Sequence, residues 1–565
     1  MTAENPAEAD AGVEVEVGSA DRPWRAPLAG LVLLLVYVGL AFLMDPHGYL
    51  GTDTGAKVAT LEVMTDRDTT DPNIGYWAAA QDPEGRLNPY YDAAARADGG
   101  WVAISTLPML EAARPLYAAG GYRAALLLPM AGAIASAFAA RALARRLGAD
   151  ARDRWLAFWV VGLASPLVVY ALDLWEHTIG VALMLWALVL LLKLLDRGPP
   201  LAALAAGALL GAAGTMRNEA FVYAFVMVGA TCLVLWRQQR ALARAVVAGL
   251  LAMVGFGVVW LSSHLLDERW GGPQRGTRAT GTASSAGSDF GLRLKEAAQT
   301  FIGLNAGDVA VAAFLGTVVV LVVLLAFRAE ARGDRRFAIV CLVLAALPYI
   351  ADAAGGLGFV SGLLLAFPVA IAGLLQIVRR PESRLVGAIA LVALPLVYLT
   401  QFTGGAAPQW GGRYTLVSSI LLGIVGVVGL LSRFPVVGRG LLALSLLVTV
   451  LGVAWLGVRS HGVDQFFDDV KADAAPVLIS RQGFLIREGG TAALGEKWFS
   501  VRDEQDFTKA IDVTRGLGEH EFSVLEWGGA APPDTSLPDD VTEVHRELLH
   551  FVDVPVGLVT YKFTG

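Results

Sequence analysis

Apolar runs separated by short polar stretches repeat along the chain from about residue 27 to residue 457. A membrane-crossing helix needs about 20 mostly apolar residues. That template predicts about thirteen helices, near 27–44, 122–143, 155–172, 177–195, 201–216, 220–236, 242–265, 308–327, 337–353, 357–378, 385–401, 413–432 and 438–457. The polar stretches between them alternate in charge. Residues 141–154, 194–200, 236–244, 327–336, 378–384 and 432–439 hold the basic clusters. The other set, 45–121, 172–178, 216–220, 266–307, 354–358 and 401–412, holds scattered bases, Arg269, Arg275 and Arg278 among them, but no such clusters. Basic residues collect in short cytoplasmic loops, so the pattern predicts a cytoplasmic N-terminus. It puts the long loop 45–121 and everything after the last span outside the cytoplasm.

The two ends follow other patterns. Residues 1–24 have no helical stripe, no cationic leader region and no small-residue cleavage site. They are expected to form a disordered cytoplasmic tail, with the first apolar run retained as a helix. Residues 25–458 then form the membrane domain. Residues 459–565 have no spanning run but do have short strand-like segments at Val477–Ser480, Phe522–Leu525 and Val556–Thr560, with a helical stretch at Glu504–Leu517. The expected fold is an α-helical polytopic membrane protein with a small C-terminal extracytoplasmic α/β domain. The Gly/Ser/Thr-rich segment 276–289 is expected to be a mobile external loop.

Composition agrees. Charged residues are only 17% of the chain, against about 25% in soluble proteins, and the mean hydropathy is +0.56. These values exclude a disordered chain, a disulfide scaffold and an ordinary cytosolic enzyme. The net charge of −7 argues against nucleic acid as a partner. That charge is uneven: residues 459–565 carry −9 and the rest +2. Cys232 and Cys341 sit in apolar runs, where neither suits a thiolate site.

In so apolar a chain, the few ionisable groups near helix ends are the candidates for chemistry. Asp53 follows the first span closely, near the external membrane surface, where a carboxylate can serve as general base. Lys57, four residues on, suits pairing with it or binding phosphate. An exposed acid at a helix start is the alternative for Asp53. Asp173-Leu174-Trp175-Glu176-His177 crowds three titratable groups into one external turn. Such a set can bind a metal or orient a base; otherwise Trp175 is an interfacial anchor and Asp173 a helix cap. Arg217-Asn218-Glu219 places an arginine on the side where arginines are rare, for an internal Arg–Glu pair or for a lipid phosphate. Trp410-Gly411-Gly412-Arg413-Tyr414 does so again, with glycines that let a ligand approach the backbone closely. An interfacial anchor of Trp, Tyr and Arg is the bland reading there.

Together these features resemble the GT-C superfamily of membrane glycosyltransferases, which use polyprenyl-phosphate sugars and include mannosyltransferases and aminoarabinose transferases. Asp53 matches that family's acid in the first external loop, and Asp173, Glu176 and His177 match its acidic cluster in the second. Gly211 to Glu219 resembles its Gly-rich helix ending in Arg-x-Glu. Trp410 to Tyr414 resembles its late Trp-Gly-x-Arg motif. A strict Asp-x-Asp is absent after the first helix, and no Trp-Trp-Asp occurs in the tail, which separates the chain from the oligosaccharyltransferase branch.

The resemblance implies inverting transfer of a hexosyl or pentosyl group at the external face of the plasma (inner) membrane. The donor is a polyprenyl-phosphate sugar, and the acceptor an envelope glycan, lipid or protein. Asp53, Glu176 and His177 are the implied catalytic residues. Lys57, Asp173, Arg217, Glu219, Trp410, Arg413 and Tyr414 are the implied substrate-binding residues. No cofactor is required by this reading; a divalent metal is compatible with it, without a ligand set legible in the sequence. The first loop, with amphipathic pieces near 57–64 and 101–118, is expected to line a groove at the membrane surface. A polytopic transporter or lipid flippase would share the spans and buried charges, but it predicts internal repeats and mid-span polar breaks. Neither is present in the sequence.

Overall fold

The computed structural model describes residues 24–564 apart from 91–92, 97, 104–105, 197, 238–239, 272–289, 305–307, 356–358, 401–408 and 529–536. The expected tail 1–24, except Trp24, and the expected mobile loop 276–289 lie outside the described residues. The helices of the first half are α1 (Arg25–Ala41), α2 (Thr52–Asp66), α3 (Leu107–Ala125), α4 (Leu127–Arg146), α5 (Ala151–Leu163), α6 (Leu167–Ala171), α7 (His177–Leu195), α8 (Leu201–Met216), α9 (Glu219–Arg237) and α10 (Leu242–Gly271). A two-stranded ribbon, β1 (Ala94–Ala95) with β2 (Trp101–Val102), interrupts the loop between α2 and α3. The second half holds α11 (Phe290–Ile302), α12 (Val309–Ala331), α13 (Arg335–Ala354), α14 (Leu363–Ala366), α15 (Val369–Arg379), α16 (Arg384–Thr400), α17 (Leu416–Val427), α18 (Leu430–Arg433) and α19 (Pro435–Asp473).

The protein is an α-helical membrane protein with a small α/β domain at its C-terminal end. Among the described residues, eight helices are long and apolar enough to cross a membrane, and four shorter apolar helices accompany them. Two of the expected spans are broken at prolines. The run 155–172 divides at Ser165-Pro166 into α5 and α6, and the run 357–378 divides at Phe367-Pro368 into α14 and α15. Proline lacks the N–H that would continue the ladder, and it disfavours a helical conformation in the residue before it. Two other helices are longer than their apolar runs. α10 continues to Gly271, and α19 runs 39 residues without a break. Part of the loop expected at 266–307 is therefore helical, including the amphipathic α11.

Small residues allow close helix contacts. α8 and α10 approach until a Cβ at Gly207 would lie 2.0 Å from the Ala252 carbonyl oxygen, and one at Gly255 2.2 Å from that of Leu204. The Gly/Ala-rich α8 thus packs backbone to backbone, as small-residue interfaces in membranes do.

The C-terminal domain is a five-stranded mixed sheet in the order β4-β3-β5-β7-β6. Its strands are β3 (Val477–Ser480), β4 (Lys497–Ser500), β5 (Glu521–Trp527), β6 (Val541–Phe551) and β7 (Val554–Phe563). β3 is parallel to β4 and β5, and β7 is antiparallel to β5 and β6. Helix α20 (Gly483–Glu488) follows β3, and α21 (Glu504–Gly516) follows β4. One apolar layer joins Ile479, Phe499 and Phe522 to Phe507 and Ile511 of α21. A second joins Leu478, Trp498 and Leu525 to Phe466, Phe467 and Val470 of α19 and to Ala56 and Ala59 of α2.

That second layer corrects one expectation. The stretch 57–64 is not an amphipathic piece on a membrane surface. Every residue from Thr54 to Leu61 is buried, because α2 lies between the membrane helices and the sheet. The loop after it docks on the domain as well. Buried Asp82 accepts hydrogen bonds from Lys509 Nζ (2.6 Å) and the Leu87 N–H (2.8 Å), and the Trp77 indole donates to the Trp498 carbonyl (3.2 Å).

Candidate active site

The site gathers where α2 meets the starts of α7 and α9, the turn before α17, and α20. Gly51 is extended at the head of α2, which puts Asp53 in the first helical turn and Lys57 one turn further in. Asp53 keeps about a third of its side chain exposed (34%). One of its carboxylate oxygens, Oδ2, accepts from Arg413 Nη2 at 3.0 Å, and Oδ1 accepts from Arg487 Nη2 at 3.3 Å. Burial alone would raise this carboxyl's pKa. Arg413 and Arg487, with Lys57 and Arg217 behind them, overcome that and bring it down to about 2.

Deeper in lies a second network. Lys57 Nζ donates to Glu176 Oε2. Arg217 donates through Nη1 to Glu176 Oε1 (3.2 Å) and through Nε to Glu219 Oε1 (2.9 Å). All four residues are buried. Burial works against ionisation of Glu176, but Lys57 and Arg217 win and hold its carboxyl below the usual range. Asp173 differs: it accepts from the Thr54 hydroxyl (2.5 Å), the Leu50 N–H (3.2 Å) and the Tyr122 hydroxyl (3.1 Å). Burial dominates there and its pKa is raised. Asp173 therefore fastens the segment that delivers Asp53.

Aromatic rings floor the site. His177 stacks on Tyr170 (4.7 Å between centroids) and lies beside Trp175 (4.6 Å). The Arg413 guanidinium sits 4.6 Å from the Trp175 ring centroid, and Arg413 and Arg217 each lie 5.0 Å from that of Tyr414. Gly411 and Gly412 have φ of +65° and +73°, the left-handed region that disfavours side chains. A Cβ on Gly411 would also strike Pro166 at 2.7 Å. This turn aims Arg413 at Asp53.

The structure thus brings Asp53, Lys57, Asp173, Glu176, His177, Arg217, Glu219, Arg413 and Tyr414 into one region. The Trp410 ring lies 5.7 Å from that of Trp455, and the residue's carbonyl accepts from the Tyr170 hydroxyl. Among the described residues, both ring nitrogens of His177, Arg217 Nη2 and Arg413 Nε are buried without a hydrogen-bond partner.

The Asp–Trp–Glu–His turn does not make a metal site. Both oxygens of Glu176 are taken by cations, Asp173 is held by neutral donors, and His177 lies between rings. This donor set does not fit a divalent cation. Among the described residues, the metal-compatible group that does converge is Asp45, His47 and Asp464, outside this site.

Arg487 escaped the sequence reading. It lies 434 residues from Asp53, in a segment without a motif. The available signal was its Arg487-Glu488 pair at the end of an apolar turn, followed by Gly489-Gly490. Gly55 explains how it arrives: a Cβ there would lie 2.2 Å from the Arg487 carbonyl oxygen and 2.8 Å from that of Glu488. Arg459 of α19 pairs with Glu488 and donates to the carbonyls of Tyr49 and Leu50, both at 3.2 Å. Gly55→Ala should therefore push α20 off α2, at an overpacking cost of about 1–3 kcal/mol. A lowered melting temperature of the purified protein is the expected result; an unchanged one would show that the contact is slack.

No family model and no curated protein matches the sequence. Over most of its length the chain is similar to two solved structures of ArnT from Cupriavidus metallidurans. The one bound to undecaprenyl phosphate has 14% identity, 94% of this chain and 97% of that chain covered, and a TM-score of 0.42; the apo state has 15% identity, the same coverage and a TM-score of 0.38.

Proposed function

We propose that this protein is an integral membrane glycosyltransferase of the GT-C type. It moves a sugar from a polyprenyl-phosphate donor to an envelope glycan, lipid or protein acceptor at the external membrane face, with inversion. The observation that carries this reading is the meeting of one accessible carboxylate, Asp53, with Arg413, Arg487, Lys57 and Arg217 at one end of the apolar helices.

The chemistry follows from those charges. The acceptor hydroxyl gives its proton to Asp53 as its oxygen attacks the anomeric carbon. The bond from that carbon to the phosphate oxygen breaks, its electron pair stays on the oxygen, and polyprenyl phosphate leaves. Negative charge grows on the phosphate, where Arg217 and Arg413 stabilise it. Glu176 keeps Lys57 and Arg217 in position. Asp173 holds the Asp53 segment, and His177 has one ring N–H to donate to a sugar or phosphate oxygen and one bare nitrogen to accept from a sugar hydroxyl.

An apolar cavity of about 390 Å³ between α4, α7 and α8 suits the lipid tail. Its α7 wall runs from Ile179, two residues from His177, to Leu190, a length of about 16 Å at 1.5 Å per residue. The test is purified full-length protein in bilayers, supplied with radiolabelled polyprenyl-phosphate sugars and a membrane extract as acceptor. Label should pass to the acceptor, and the product's anomeric configuration by NMR should be opposite to the donor's. Labelled donor carried across the bilayer with its sugar–phosphate bond intact would instead support lipid transport and sink this reading.

A further inference from the structure

We propose that Asp53 and the phosphate of the incoming donor compete for the same two guanidinium groups, those of Arg413 and Arg487. The base stays clamped until the phosphate takes its arginines, and the C-terminal domain supplies half of that switch. This rests on the function proposed above and adds the regulation of its site.

The geometry carries the argument. Both oxygens of Asp53 are engaged, each by a different arginine from a distant part of the chain. A carboxylate in that state is a poor proton acceptor, which conflicts with its role as base. The conflict disappears if something else claims the arginines. Asp53 is also the accessible acid of the site: its side chain is 34% exposed, against 6% for Glu176 and 5% for Glu219. The inner network of Lys57, Glu176, Arg217 and Glu219 is buried, so an anion arriving from outside meets the Asp53 clamp first. A phosphate has enough free oxygens to engage two guanidinium forks at once, whereas one carboxylate has two oxygens to share between them. Arg413 Nε and Arg217 Nη2, buried without partners among the described residues, supply donors that Asp53 does not use.

The charged groups facing Asp53 are Arg413 from the turn before α17, Arg487 from α20, Lys57 from α2, Arg217 from the turn between α8 and α9, and Glu176 at the start of α7. With the phosphate bound, the two clamping arginines face it instead. Asp53 then keeps only the more distant Lys57 and Arg217, and Glu176 acts against its ionisation. Its pKa rises from about 2, and the carboxylate becomes a working base only when the donor is present.

The test measures binding of farnesyl phosphate, with farnesol as uncharged control, to the full-length protein in detergent. Asp53→Asn removes the competing anion while keeping the side chain's shape. It should bind farnesyl phosphate about tenfold tighter than wild type or more, the scale of one charge-assisted hydrogen bond no longer spent on the carboxylate. Farnesol affinity should not change. In the Asp53→Asn background, Arg487→Gln should reverse the gain. Asp53→Ser, which also lacks the charge, should reproduce it. Equal or weaker binding of farnesyl phosphate by both Asp53 variants overturns the competition, even if both are inactive. Failure of wild type to bind farnesyl phosphate at all overturns the proposed function, and this inference with it. Tightened binding together with full transfer activity in Asp53→Asn would uphold the competition and reject Asp53 as base.

Discussion

Asp53→Asn is expected to lower the transfer rate by about 10²–10⁴, the range that a positioned general base contributes. The amide has the carboxylate's shape and its oxygen can still accept from one of the two arginines, so folding should be preserved. What it lacks is the ability to take the acceptor's proton. The pH dependence sharpens this. In the free protein Asp53 has a pKa of about 2, below its ordinary 3.8, so it is ionised throughout the neutral and mildly acidic range. A plot of kcat/KM against pH, which reports the free enzyme, should therefore show no acidic limb from Asp53 above about 4. If the donor's phosphate releases the clamp, the plot of kcat should show a limb at higher pH. The sign for stability is the same: with a depressed folded pKa, the two arginine bonds stabilise the fold above 3.8 and lose their effect as the pH falls through about 2. Full activity of Asp53→Asn at normal expression would reject the base assignment.

The elements easiest to read were those whose physics is local. His177–Leu195 and Leu201–Met216 coincide with their apolar runs because polar turns bound both ends. The breaks at Pro166 and Pro368 were harder, since hydropathy runs on through them while the backbone does not. α2 was misread as amphipathic because its polar residues, Thr54, Lys57 and Thr60, are buried by pairing rather than turned to solvent. In the site, Asp53, Arg217 and Arg413 stood out as charges where an apolar chain has few. Nothing local announced that Arg217 would take both Glu176 and Glu219 and still keep Nη2 without a partner among the described residues. Arg487 was out of reach for a different reason. It is one of ten Lys and Arg residues in the acidic segment 459–565, and only the fit of α20 against Gly55 makes it part of the site.

The inner network gives the other large effect. Lys57 is 1% exposed and pairs with a Glu176 that is itself buried. Removing one member of such a pair leaves an uncompensated charge, at a cost of about 3–5 kcal/mol. Lys57→Met keeps the volume and discards the ammonium, so it should destabilise the protein by about 3 kcal/mol, near the lower end because Arg217 still holds the other oxygen of Glu176. Lys57→Met combined with Glu176→Gln removes both charges and should regain more than half of that loss. Arg217 then keeps Glu219 as its carboxylate partner. The measurement is a double-mutant cycle of unfolding in detergent, with single and double variants compared under one condition. If the double variant loses the sum of the two single losses, Lys57 and Glu176 are not energetically coupled, and the network does not hold the cations as argued. If it recovers while transfer activity stays low, the pair stabilises little by itself. Its purpose is then to fix Arg217 where phosphate charge develops, which is what a preorganised site requires.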